Sequence, residues 1–429
     1  MKKIAVVGAV AIIALAGCSS STDQAAAPAA SSAAPVAAPA ASSAAPEAAP
    51  ACEAPVKIGL NEPMSGPFGF YGQWVTNSVT IEAEKINAAG GLLGCQLEVV
   101  TRDNGLDPAK VVGNTNELIG DSSVGMVMGP SFTAFYEAVS QSYEDGQKLN
   151  CQIAVNGTES LKDKAYGFRI NASSKLTADA LVKYLAANNI KTLGAIYQNN
   201  GESATFDVEL AAAGDKYGVE FVGSEFVDPT ATSHAAQVGK LIEADAIFID
   251  PQSNVAALTA DAAGKAGYKG LLVGNNGLQG FTYVEGAGDA ANGTIFAANY
   301  LGSYTDIPAA DQPAAYAEHT QAVIDQFGVI TGPKTGVDAI AGTQQAADCV
   351  VEWAAAVNAA GTFDNTAVAE AWRNLSLTQD EVPSGVGGGV NFQGGNESWV
   401  APEQMTIYKW VKKDDGSWVV EEVQAGSAG

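Results

Sequence analysis

From Val56 onward, short β-branched runs alternate with stretches whose apolar residues recur at helical spacing. Val56 to Leu60 predicts a strand. Val75, Val79, Ala83 and Ile86 then share one helix face, and Gly90-Gly91 ends that helix. Gln96 to Arg102 predicts the next strand. Asp107-Pro108 is an N-cap with proline at the first helical position, and Val124 to Met128 predicts a third strand. The rhythm restarts with strands near Thr192 to Tyr197, Val219 to Val222, Ala246 to Ile249 and Leu271 to Val273. Helical spacing returns over Ala314 to Phe327 and Val337 to Ala360, and Met405 to Trp410 with Trp418 to Val423 predicts a hairpin. Strands separated by helices imply parallel sheets, hence an α/β fold.

The first residues are patterned differently. Lys2 and Lys3 precede an apolar run from Ile4 to Ala16, followed by Gly17 and Cys18, the order of a secretory signal with a small-residue cleavage site. The run is shorter than the roughly 20 apolar residues of a bilayer-spanning helix. Leu15-Ala16-Gly17-Cys18 resembles the bacterial lipobox. That implies that residues 1–17 are removed and that Cys18 becomes the lipid anchor, at the outer face of the cell membrane or in the periplasm. An ordinary cleaved signal with an incidental cysteine is the alternative. Residues 18–54 are almost entirely Ala, Pro and Ser, too poor in apolar bulk to offset their ordering entropy, and form a tether. As coil it would span on the order of 30 Å.

The remaining chain, about 375 residues, is long for one core and suggests two lobes. Removing the two positive charges of Lys2 and Lys3 from a net −25 leaves −27. Such a surface repels polyanions, which argues against nucleic acid as a partner. Four cysteines besides Cys18, an even number in an exported chain, imply two disulfides. No C-x-x-C pair occurs and there are only two histidines, His234 and His319, so neither a metal site nor a cofactor is expected. The run Gly385, Gly387, Gly388 and Gly389 lacks a following Lys-Ser/Thr and precedes a strand, so it is a loop and not a phosphate cradle. Trp353 and Trp410 are expected to be packing residues.

Particular residues carry a family likeness. Pro63-Met64-Ser65-Gly66-Pro67, Tyr71-Gly72, Ile86-Asn87-Ala88-Ala89-Gly90-Gly91, Arg102-Asp103-Asn104 and Asp107-Pro108-Ala109-Lys110 together resemble the N-terminal signature of the leucine/isoleucine/valine-binding protein family. Gly129-Pro130 with Thr133 and Ala138, and later Gly389-Val390-Asn391-Phe392 and Gly395, are similar to that family's loops. These are type I periplasmic solute-binding proteins of ABC transporters. The resemblance implies two Rossmann-like lobes joined by three crossover segments, near Asn171, Asn299 and Thr378 to Ser384, with a ligand between them. The first lobe would comprise residues 55–171 and 300–380, the second 172–299 and 381–424.

By that resemblance Thr133 and Thr158 would hold a ligand carboxylate, Asn156 would contribute mostly backbone, and Tyr71 would supply an aromatic wall. The second lobe departs from the family. Glu202 stands where a Tyr usually begins the helix after the lobe's first strand, and Asn276 stands where an acid usually receives the ligand ammonium. A neutral amide offers no charge-assisted partner to an ammonium. Glu202 would replace it, or the ligand carries no ammonium; either way a plain branched-chain amino acid pocket is in doubt. Gln252, after the strand ending at Ile249, is a further cleft candidate.

The first two strands are neighbours in a doubly wound sheet of this order, which pairs Cys52 with Cys95. If the helix beginning near Val337 starts at the hinge, it carries Cys349 toward Cys151, and both bridges stay within the first lobe. The expected function is capture of a small polar solute, an amino acid or related amide or carboxylate, for an ABC transporter permease, by a monomer that does no chemistry on it. The alternative is a sensor with the same lobes acting on a membrane receptor. An enzyme is disfavoured, since there is no G-x-S-x-G elbow and no His cluster.

Overall fold

The computed structural model describes residues 52, 54–198, 201–228, 230–250, 252–300, 309–328, 343–392, 398 and 400–423. The signal segment, Cys18 and the tether up to residue 51 lie outside them, as does 337–342, where a helix start is expected. Among the described residues no helix is long and apolar enough to cross a membrane, and no His, Cys, Asp and Glu cluster could hold a metal ion.

Two sheets organise the chain. The first takes strands β1 (Val56–Glu62), β2 (Leu97–Asp103), β3 (Val124–Met128), β4 (Asn150–Gln152) and β5 (Gly167–Arg169), in the order β2-β1-β3-β4-β5, all parallel. The second takes β6 (Thr192–Gln198), β7 (Glu220–Val227), β8 (Ala246–Ile249), β9 (Leu271–Asn275) and β10 (Ile295–Ala298). A small hairpin, β11 (Ser376–Leu377) and β12 (Val390–Asn391), stands apart. The antiparallel pair β13 (Thr406–Lys412) and β14 (Trp418–Glu422) extends the second sheet to β14-β13-β10-β9-β8-β6-β7.

The helices are α1 (Gly69–Ala88), α2 (Pro108–Gly120), α3 (Thr133–Asp145), α4 (Ser174–Ala187), α5 (Gly201–Tyr217), α6 (Ala235–Lys240), α7 (Ser253–Ala266), α8 (Phe281–Ala287), α9 (Ala314–Phe327), α10 (Thr343–Ala360) and α11 (Asn365–Trp372). They cover both faces of each sheet, which is why the strands read as near-continuous apolar runs. Strand alternation divides the cores. Met126 and Met128 face the side of α1 and α10, with Val79, Val350 and Trp353, while Val127 faces Leu118 of α2 and Val139 of α3. In β8, Ile247 and Ile249 join Val255 and Tyr283, whereas Ala246 and Phe248 join Leu181 of α4 and Phe206 of α5. The Asp107 carboxylate accepts from the Ala109 and Lys110 amides at the start of α2, the capping its sequence calls for.

The disulfides join Cys52 to Cys95 and Cys151 to Cys349, with Cα separations of 5.2 and 6.0 Å. Cys151 lies inside β4. The chain leaves the first sheet after β5 and α4 packs on the second core; it leaves the second after β10, where Asn299 Nδ2 donates to the Ile170 carbonyl across the two connections.

The third connection corrects an expectation. Val382, Val386, Val390, Phe392 and Val400 are buried in the first core, and Ser398 bridges Arg169 of β5. The chain therefore crosses between Val400 and Thr406, not at Thr378 to Ser384, and the first lobe keeps residues up to about 400. The glycine-rich loop before β12 mimics a boundary, but the apolar residues around it fill the space beside Phe168 and Trp372, whose rings stack at 4.2 Å.

Candidate functional site

Between the sheets, beyond the carboxyl ends of their parallel strands, lies a cavity of about 340 Å³. Open parallel sheets place ligands there. One wall is aromatic and comes from the first lobe: Phe68, Phe70, Tyr71 and Trp74 at the start of α1, and Phe132 before α3. The rings support one another, Phe70 against Trp74 at 4.9 Å and Tyr71 against Phe132 at 5.9 Å. Trp74 also packs against the second lobe's core, so it spans the cleft.

The facing wall is built of amides. Gln252 and Asn254 follow β8; Asn275 ends β9, and Asn276 and Gln279 follow it. Asn156, Asn171 and Gln345 complete it from the first lobe and the first connection. Asp250 sets this wall, since its buried carboxylate accepts from the Gln198 and Gln252 backbone amides and so fixes the loops after β6 and β8. Tyr300, on the second connection, hydrogen-bonds Asn276 and Gln279, and burial pushes its phenol up. Among the described residues no Asp, Glu, Lys or Arg lines the cavity.

Besides Asp250, two further acids stand behind the walls. Ser131 donates to Glu62 Oε1 at 2.9 Å, so the Tyr71 hydroxyl, 3.0 Å away, donates to Ser131. Glu62, at the end of β1, is fully buried, and that burial pushes its carboxyl up to about 8 despite the Ser131 bonds. Gly129 makes room for it: a Cβ there would lie 2.6 Å from Glu62 Oε1 and 2.5 Å from the Asn61 carbonyl, at φ +85°. On α10, burial pushes the Asp348 carboxyl up to about 7, against the Ser384 amide that donates to it.

Of the residues expected from sequence, Tyr71, Asn156, Gln252 and Asn276 line the cavity. Thr133 and Thr158 do not. Thr133 is buried at the first position of α3, where its hydroxyl oxygen accepts from the Asn156 and Gly157 amides and so holds that loop in place. Thr158 reaches across to the second lobe, donating to Glu209 Oε1. Both are structural links around the site in this arrangement, because their oxygens are engaged by protein groups. The Glu202 backbone lies in the first turn of α5, and its side chain lies outside the described residues.

Sequence reasoning found three amides of the wall but missed Asn171, Asn254, Asn275, Gln279 and Gln345 as lining residues, together with the phenylalanines and the buried acids. Phe68 and Phe70 adjoin the recognised motif, which was a usable signal. Glu62, just before Pro63, adjoins it too, whereas nothing local distinguishes Gln345.

Comparison with known proteins agrees with this architecture. The family model described as periplasmic binding protein matches residues 55–416. A leucine-, isoleucine-, valine-, threonine- and alanine-binding protein of Pseudomonas aeruginosa is 24% identical, covering 83% of this chain and 90% of its own. A periplasmic binding protein type 1 from Bordetella pertussis superposes with a TM-score of 0.74 at 20% identity, over 86% of this chain and all of that one. A branched-chain amino acid transporter substrate binding protein from Streptococcus pneumoniae, solved with isoleucine, gives 0.70 at 20% identity, over 86% and 99%.

Proposed function

Because the chain belongs to the periplasmic binding protein family, we propose that it is an exported lipoprotein, held by Cys18, that captures a small polar solute between its lobes and delivers it to an ABC transporter permease. The observation that carries this function is the cavity, whose walls come from both lobes and from the connections between them. A ligand there touches both lobes only when they are closed, so binding draws them together and excludes water. The closed form is what a permease would recognise. The protein performs no chemistry on the solute. The acylated N-terminus and the Ala/Pro/Ser tether keep it near a membrane with freedom to reach its partner.

A thermal-shift screen of amino acids, short amides, urea, small carboxylates and uncharged polar compounds, followed by small-angle scattering, tests this. A true ligand at about 100 times its Kd adds about 2.7 kcal/mol of stability. It should also reduce the radius of gyration if any open form is populated. A solute that is converted to product on incubation would overturn the assignment.

A further inference from the structure

Resting on solute capture as the function, we propose that the cavity takes an uncharged ring compound whose edge carries both hydrogen-bond donors and acceptors, with its face against the aromatic wall. Three buried amide atoms on the cavity's lining residues lack a partner: Asn171 Oδ1, Gln252 Oε1 and Gln345 Nε2. Asn171 is 1% exposed, and its Nδ2 donates to the Val155 carbonyl, the Asn156 side-chain oxygen and the Ala172 carbonyl. Those three acceptors fix the amide's orientation, so its Oδ1 is an acceptor that a ligand N–H or O–H must satisfy. Gln345 and Gln252 can each present either end, and ask for a donor and an acceptor on the same edge. Polar groups buried without partners in a folded protein point to something that completes them.

The opposite wall asks for a flat apolar face. Phe68, Tyr71, Trp74 and Phe132 offer rings to stack on, and stacking tolerates any ring with a π or C–H face. A cavity of about 340 Å³ equals roughly eleven water volumes, room for a ring with its substituents. Charge is disfavoured. The described lining offers amides, hydroxyls and rings, and an ion placed there would lose its hydration without a counter-charge. Of the carboxyls described behind the walls, Glu62 and Asp348 are held toward the neutral form by burial, and the Asp250 carboxylate is engaged by the Gln198 and Gln252 backbone amides. Nucleosides and monosaccharides share the required chemistry.

Isothermal titration of the mature protein with matched probes decides the class and the source: uridine against uridine monophosphate, glucose against glucuronate, and leucine alone. Uridine or glucose should bind, with its charged twin at least about thirtyfold weaker. Gln252→Ala, which removes an amide that makes no described side-chain bond, should weaken that neutral probe about threefold to tenfold. Tighter binding of leucine or of a charged twin would overturn the class while leaving solute capture standing. No heat from any of the five would also overturn it, with the wider thermal screen remaining as the separate test of capture.

Discussion

Thr158 Oγ1 donates to Glu209 Oε1 at 2.7 Å, joining the loop after β4 in the first lobe to α5 in the second. The same hydroxyl lies 3.3 Å from Ser174 Oγ at the start of α4. The bond exists only while the lobes are together, so it favours closure without touching the cavity. Thr158→Val should leave the unliganded melting temperature within a degree or two and weaken ligand binding about threefold to tenfold, mainly through faster release. Stopped-flow dissociation measures it; unchanged release would remove Thr158 from the closure mechanism.

Glu62 makes stability pH-dependent in a definite direction. Its folded value of about 8 lies above the ordinary 4.5, so the folded state holds a proton that the unfolded chain releases. Its contribution is complete below pH 4.5 and is lost as pH rises through about 8, at about 1.4 kcal/mol per pH unit between them. Glu62→Gln keeps the shape of the protonated acid and should flatten this decline. Urea unfolding of both proteins at pH 5, 6.5 and 8 checks it: the variant's relative stability should rise with pH, and a constant difference would show that Glu62 is ionised in the fold.

Gly129 follows β3 and sits against Glu62. Gly129→Ala must displace the Asn61 carbonyl or the Glu62 carboxyl, at a backbone angle that L-residues rarely adopt. A loss of more than about 2 kcal/mol in unfolding free energy is expected. Chemical denaturation reads it directly, and a cost under about 0.5 kcal/mol would mean that the loop shifts freely.

The Cys151–Cys349 bridge ties β4 to α10 across 198 residues of chain, and both cysteines are buried in the first core. Replacing both cysteines with alanine should cost about 3–5 kcal/mol. Ligand affinity should change less than about twofold, because neither residue lines the cavity. Calorimetry and titration together separate the two effects, and a large affinity loss would show that the bridge sets the cleft geometry.

The central strands β1, β3, β6, β8 and β9 were legible because they are largely buried on both faces, which writes a local apolar run bounded by turns, whereas β4, β5 and β10 are only three or four residues long. Asp107-Pro108 marked α2 for an equally local reason, an N-cap beside a residue that tolerates lacking an amide hydrogen. Tyr71, Asn156, Gln252 and Asn276 were found because each lies just past a strand or at a helix start, and those loops face the cleft in any sheet of this order. The third connection was misplaced because Gly385 to Gly389 looks like a boundary, while Val382, Val386 and Phe392 find their partners only across the first core.

By itself, the sequence determined the net negative charge, the α/β alternation and which loops would meet at the cleft, since these follow from composition and from neighbouring residues. Tertiary structure alone decided the rest. It buried Glu62 behind Tyr71, turned Thr133 to the loop backbone and Thr158 to the opposite lobe, and gathered amides from β8, β9, α10 and the first connection into one wall. The physical reason is distance along the chain: a hydroxyl or amide carries the same donors and acceptors wherever it stands, and only the packing of remote segments settles whether protein or solute will meet them.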